Sequence, residues 1–312
     1  MKSQYIFHEG DFPAACHVRF SPALFNRIAY GEIQSQTGWC SFYILREDEV
    51  CGGIRFCIVD GVAKSPLRAP FGSLDLMSEI PPRVVFDFLA FVERRLQDLG
   101  ASRIEVKNPP DVYDPERMTL LANFFLTHQY SITDAEVGAV IAVSSDPFSE
   151  QIHPRKKRKL VQSRVDSLQF VKLERKELPD VYAFIAACRW KKNYKLSIAL
   201  DELGRFVDRF PDEYVLFGVF HGHALVAASV VIRVHEHALY HFISDHVRHI
   251  GELRPALILM EGIYEYCLSE GISLLDLGTS TLDGKPDVKL LRFKKEIGGQ
   301  LTHKFSFQKN LR

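Results

Sequence analysis

The same order of elements passes twice along this chain, and that repetition limits what it can fold into more than any single motif. After Gly38, WCSFYILRED and EVCGGIRFCIVDGVAKSPL alternate as a pair of strands turned at Arg46 to Glu49. PPRVVFDFLAFVERRLQDLG follows, opened by Pro81 and Pro82, apolar at helical spacing and ended by Gly100. SRIEVKNPP then reads as a strand stopped by two prolines, PERMTLLANFFLTHQY as a helix and SITDAEVGAVIAV as a strand. In the second half, ELPDVYAFIAACRWKK and LSIALDELGRFVDRFP read as amphipathic helices. EYVLFGVFHGHALVAASVVIRV and ALYHFISDHV read as antiparallel strands, with turns at His221–His223 and His235–His237. RPALILMEGIYEYCLSEG is then a helix, SLLDLG a strand and LTHKFSFQKNL a last strand. A repeated α/β (α+β) module, each copy a mixed, mostly antiparallel sheet flanked by helices, is the simplest account.

A length of 312 residues also favours two domains over one core. The expected division is 1–146, a connecting helix over 147–167, and 168–312. That connector is the most basic stretch of the chain, with Arg155, Lys156, Lys157, Arg158, Lys159 and Arg164, started by Pro147 or Ser149. Helical spacing gathers Leu160, Val161 and Val165 on its apolar side. Net charge is zero, but the halves differ: residues 1–150 hold 13 Lys+Arg against 20 Asp+Glu (13 − 20 = −7), residues 151–312 hold 26 against 19 (26 − 19 = +7). The halves either complement each other or the second handles an anionic ligand.

With 46% hydrophobic and 25% charged residues, the composition is that of an ordinary globular protein. No apolar run is long enough for a bilayer and MKSQYIFHEGDF lacks a signal peptide's apolar core, so a cytoplasmic location is expected. The six cysteines form no CxxC pair and read as reduced core residues. His235, His237 and His241 invite a metal reading, but VHEHAL fits a hairpin turn, no H-x-x-x-H helix accompanies it, and no metal is expected. Serine-hydrolase elbows and Walker-type loops are absent from the sequence.

The segment LLDLGTSTLDGKPDVKLLRFKKEIGG reads as a buried strand (Ser273 to Leu277), a polar turn, and a cationic helix closed by Gly298 and Gly299. It directs Lys289, Arg292, Lys294 and Lys295 at the neighbourhood where the strand ends. Taken together with HPRKKRKLVQSRVDSLQFVKLE, AACRWKK and RPALILMEGIYEYCLSEGISLLDLGTS, in that order, it resembles the FemAB-like transferases of the GNAT acyltransferase superfamily, which carry two tandem GNAT-like domains.

The resemblance implies transfer of an acyl group to a primary amine. The donor is an acyl-CoA thioester or a charged tRNA, neither tightly bound as a cofactor; the acceptor in the second case is a cell-wall peptide precursor. Lys294 matches the family's Phe-Lys position and is expected to stabilise the developing oxyanion. Asp276 is either a general base or acceptor ligand, or an Asp that bonds backbone N–H groups of its own turn. Arg189 matches an arginine near the acceptor's anion, with Trp190 and Ser280 as further acceptor contacts. Arg248-His-Ile-Gly251-Glu-Leu253 stands where the family's phosphate-binding turn would be. Its last position departs from the pattern, which puts standard CoA binding in doubt, while Arg248, Gly251 and Arg254 remain the phosphate ligands expected. For a tRNA donor, Arg155, Lys156, Lys157, Arg158 and Lys159 would be the backbone contacts. A non-catalytic module that recognises an anionic polymer is the reading outside the enzymes.

Overall fold

The structure is a computed structural model and describes residues 5–165, 168–247, 253–282 and 284–311. Contacts divide these residues into two compact units, 1–136 with 302–312, and 137–301.

The first unit begins with the antiparallel strands β1 (Tyr5–Glu9), β2 (Trp39–Arg46), β3 (Glu49–Val59) and β4 (Val62–Ser65). Helix α1 (Pro82–Asp98) then crosses to β5 (Arg103–Lys107), which lies parallel to β4. Proline at the first helical position costs α1 no hydrogen bond, and Gly100, at φ +86°, ends it in a conformation few other residues tolerate. Helix α2 (Pro115–Thr127) and strand β6 (Ser131–Ala142) complete the repeat. Phe42, Phe56, Phe88, Leu96, Ile104 and Phe125 form the centre of this unit's core.

The second unit opens with the basic helix α3 (Pro154–Val165), preceded by a single turn over Phe148–Gln151. Leu160 is buried as expected, but Val161 is exposed and the buried neighbour is Ser163, whose Oγ donates to Lys159 O at 2.8 Å. The Val165 side chain lies outside the described residues. Strand β7 (Leu168–Leu173), which begins just past the expected end of the connecting helix at 167, pairs with β8 (Tyr214–His221). Helices α4 (Leu178–Trp190) and α5 (Leu200–Arg209) lie between them in sequence. The meander continues through β9 (Ala224–His235) and β10 (Ala238–His246), both turns falling where the histidine clusters placed them. Helix α6 (Pro255–Ser269) crosses to β11 (Leu274–Thr279), parallel to β10. Helix α7 (Val288–Glu296) and strand β12 (Gln300–Asn310) close the chain.

Each unit thus has mainly antiparallel pairing and includes a parallel pair bridged by a helix. The closing strands do not stay with their own repeats. Residues 138–142 of β6 pair with β11 in the second unit, and residues 306–310 of β12 pair with β5 in the first. Among the described residues no helix is long and apolar enough to cross a membrane.

Helix α6 is the spine of the second core: Leu257, Met260, Ile263, Tyr264 and Cys267 are all buried. Its Tyr264 hydroxyl receives Ser144 N at 3.1 Å and the Gln151 amide, tying the helix to the chain that leads into α3. At Gly262 the helix approaches β7 so closely that an added Cβ would stand 2.3 Å from the Phe170 ring. Gly262→Ala is therefore expected to lose about 1–3 kcal/mol in urea unfolding. Pairing it with Phe170→Ala is expected to recover part of that loss, because the clash rather than helix propensity is the cause.

Candidate active site

All residues lining the main cavity lie between 156 and 297, within the second unit. Its position follows from the parallel pair. Strands β10 and β11 are matched only through Ala238–Leu274, Leu239–Leu275 and Tyr240–Asp276. Past that point β10 carries an irregularity between Ile243 and His241, so that Phe242 is skipped against β9. On β11 the register against β6 shifts between Asp276 and Thr279, around Gly278 at φ +74°. Two parallel strands that stop pairing leave a gap at their C-terminal ends, where the crossover helix also presents its N-terminus. The cavity there is about 820 Å3 in volume, and Arg254, Pro255, Ala256 and Leu257 of the α6 start line it. The Arg254 side chain makes no capping bond to α6, and among the described residues the first backbone N–H groups and dipole of the helix favour an anion.

Among the described residues, seven cations line this cavity: Lys156, Lys159, Arg189, Lys192, Arg254, Lys289 and Lys294. The carboxylates are Asp245 and Asp287, giving 7 − 2 = +5 with histidines neutral. Lys192 Nζ is ion-paired with buried Asp245, and Asp287 caps α7 by accepting Lys289 N and Leu290 N, each at 3.0 Å. Lys156 pairs with Glu296 at 3.2 Å and sits 4.9 Å from the Phe293 ring centre. An excess of positive charge remains after each of these pairings.

Lys294 is buried, only 5% exposed. Its Nζ donates to Gly278 O at 2.7 Å and Thr279 O at 2.8 Å, two carbonyls that the bend at the end of β11 turns toward α7. The bend is held from inside: buried Asp276 accepts Gly278 N on Oδ1 at 2.7 Å. Asp276 does not line the cavity. Ser280 does, and its buried Oγ has no hydrogen-bond partner among the described residues. Helix α7 ends as its glycines predict, with Gly298 at φ +91° and Gly299 N donating to Lys294 O at 2.8 Å. Of the four cations directed at this region by sequence, Lys289 and Lys294 line the cavity. Arg292 and Lys295 are exposed away from it, because the helix carries them around to other sides.

Arg189, at the end of α4, lines the cavity, whereas Trp190 next to it is exposed and outside the lining. Arg254 lines it as well; its backbone N donates to Ser163 Oγ at 3.0 Å and its Nη1 to Leu253 O at 2.8 Å. Arg248 and Gly251, the other expected phosphate ligands, lie outside the described residues. On α3 only Lys156 and Lys159 reach the cavity, while Arg155 and Arg158 are solvent-exposed and half-buried Lys157 pairs with Glu150 at 2.6 Å.

The sequence did not reveal His241 as part of this site. It lines the cavity, and its buried Nε2 has no hydrogen-bond partner among the described residues. Burial, with Lys294 and Arg189 nearby, pushes its imidazole down to about 4, so it is neutral at physiological pH. The other histidine cluster is elsewhere: His235, Glu236 and His237, at the hairpin before β10, bring their ligand atoms within 4.8 Å of one another.

Residues 151–294 match the family model described as an acetyltransferase (GNAT) domain. No curated protein matches the chain. Among solved structures, FemX shares the fold at a TM-score of 0.73 with 12% identity, covering 93% of each chain. The C-terminal domain of a putative lysylphosphatidylglycerol synthetase from Agrobacterium fabrum gives 0.55 at 11% identity over 83% of this chain and 81% of that one. A tandem GNAT protein from the clavulanic acid biosynthesis pathway gives 0.51 at 12% identity over 92% and 90%.

Proposed function

We propose that this chain, whose second unit carries a GNAT acetyltransferase domain within a FemX-like fold, is an N-acyltransferase that moves an acyl group from an anionic thioester donor, such as acyl-CoA, to a primary amine. The observation that carries the reading is the buried Lys294 ammonium, fixed on two strand-end carbonyls inside a cavity of net charge +5.

The reaction that suits this arrangement begins with attack of a neutral amine on the donor carbonyl carbon. A C–N bond forms and the carbonyl electron pair moves onto oxygen. Collapse of that intermediate breaks the C–S bond, the thiolate leaves, and the proton lost by the amine ends on the thiolate by way of solvent. Negative charge develops first on oxygen and then on sulfur. A positive charge already oriented in a water-poor cavity stabilises both without reorganising. The surplus of cations also disfavours protonation of an entering amine, which keeps it nucleophilic.

Other residues take supporting roles. Asp276 acts as a positioning residue, since its carboxylate holds the Gly278 amide and with it the bend whose carbonyls seat Lys294. The α6 start with Arg254 and Lys159 suits the phosphates of the donor. Arg189, Ser280 and neutral His241 offer the acceptor one anion contact and two polar ones.

A charged tRNA is the second donor reading, favoured by α3, which places Lys156 and Lys159 on the cavity wall and exposes Arg155 and Arg158 beside it. Calorimetric titration with acetyl-CoA at low and moderate salt separates the two. One-to-one binding that survives moderate salt is expected. Binding that salt abolishes, or none, overturns the thioester reading and turns the search to aminoacyl-tRNA.

A further inference from the structure

The mouth of the cavity carries a second chemistry, unlike its cationic floor. Tyr194, Leu282 and Leu290 line the cavity and are also 52%, 61% and 37% exposed, which puts them on its rim. Trp190 and Val288, in the same two segments, are 79% and 69% exposed. Trp190 belongs to the last turn of α4, where Tyr194 N reaches back to Arg189 O at 3.0 Å across Asn193 at φ +60°. Val288 opens α7, and Leu282 lies in the short ribbon Thr281–Leu282 paired with Lys285–Pro286. Three large apolar side chains thus stand in solvent on this rim, and two more are exposed on the segments that carry it. Single exposed apolar residues are ordinary, but a cluster rimmed by charge marks a contact surface.

The charge around them has one dominant sign. Residues 189–198 contain Arg189, Lys191, Lys192 and Lys195 and no acid; residues 284–290 contain Lys285 and Lys289 against Asp287, so the two segments sum to 6 − 1 = +5. Lys191, Lys195, Lys285 and Lys289 are exposed. A partner that wants both features must offer negative charge at its surface and hydrocarbon just below it.

We propose that this rim docks the second unit on an anionic lipid–water interface, with Trp190, Leu282 and Val288 entering the headgroup layer and the lysines meeting lipid phosphates. Indole and phenol side chains favour such interfaces because one end is apolar and the other polar. The lysines add attraction to acidic headgroups within a Debye length. Single-stranded RNA would also meet the lysines and stack on Trp190 and Tyr194, but it offers nothing to Leu282, Val288 and Leu290. Those aliphatic residues gain free energy only where they leave water for hydrocarbon. The observations therefore favour lipid.

Trp39 and Trp190 are the two tryptophans of the chain, so a Trp39→Phe protein reports on Trp190 alone. Its emission is expected to shift to the blue with vesicles of equal parts phosphatidylcholine and phosphatidylglycerol, and not with phosphatidylcholine alone. Co-sedimentation of the unmodified protein provides the same test without that substitution. Leu282→Ser with Val288→Ser leaves the charge unchanged and is expected to weaken vesicle binding at least about tenfold. No shift and no co-sedimentation, or binding untouched by the two serines, overturns the proposal. A Trp190 response to polyuridylate but not to vesicles overturns it in favour of nucleic acid. No acyl donor is present in these measurements, so a failed acetyl-CoA titration would not bear on them, nor they on the transferase reading.

Discussion

Replacing Lys294 with methionine is expected to lower acyl transfer about a hundredfold to a thousandfold, with donor binding little changed. The size comes from what a single preorganised donor to a developing oxyanion contributes at a buried position. Lys294 is buried and fixed by Gly278 O and Thr279 O at 2.7 and 2.8 Å, as the proposed role requires. Methionine keeps the length and volume of the chain and removes the charge, so packing around α7 survives. Two carbonyls lose a donor, which costs about 1–3 kcal/mol for each that stays dry. Removing a buried ammonium returns part of that cost, since its own desolvation no longer opposes folding. The urea midpoint should therefore move modestly while turnover collapses. An interaction made only as charge develops lowers kcat and leaves KM alone. A rise in KM at constant kcat would mean that Lys294 merely binds donor phosphate. A protein that binds an anionic polymer without chemistry would have no turnover to lose, and its polymer affinity should fall only as far as one cation among seven allows. Lys294→Arg is not expected to restore activity, because a planar guanidinium cannot seat its charge at the same point between two carbonyls.

The parts of this site that sequence exposed are the ones written in local chemistry. Asp276 with a glycine two residues on, and Gly298-Gly299 closing a helix, describe turns that a few neighbouring residues fix among themselves, and the structure has both turns in place. The proline start of α1 and the histidine-bearing hairpins were legible for the same reason. What sequence did not expose depends on partners far along the chain. The strand over Leu168–Leu173 is recognisable only once β8 pairs with it, because six residues directly after a basic helix carry too short an alternation to define a strand by themselves. Periodicity put Val161 on the buried side of α3, whereas α3 turns Leu160 and Ser163 inward to meet α6 and its N-terminus. The exchange of the closing strands between the two sheets leaves no local trace, since each keeps the same alternation whichever sheet receives it. His241 escaped for a related reason. Its place on the cavity wall depends on the skipped residue Phe242, and a bulge is a property of two strands rather than of one.

That histidine leads to the second large effect, which appears in stability rather than rate. In the unfolded chain the His241 imidazole has its ordinary value of 6.5; in the folded protein burial first, and then the charges of Lys294 and Arg189, hold it at about 4. Between those values the unfolded chain takes up a proton that the folded protein refuses. The difference favours unfolding, so stability falls as pH falls through the window, and below about pH 4 the loss is complete. Between pH 7 and pH 5 the loss from this one group is about 2 kcal/mol, approaching about 3 kcal/mol at lower pH. Carboxylates titrate in the lower part of that range too, so the comparison that isolates His241 is with His241→Gln, which keeps a polar side chain of similar size and cannot take the proton. Urea unfolding at pH 7 and pH 5 is expected to show the wild-type protein losing about 2 kcal/mol more than the variant. Equal losses would mean that the imidazole is already protonated in the fold or escapes the field of the cavity. Lys294→Met supplies the cross-check, because it removes one of the two cations named. Its slope is expected to lie between those of the wild-type protein and His241→Gln, tying the acid sensitivity of the fold to the charge proposed to stabilise the oxyanion.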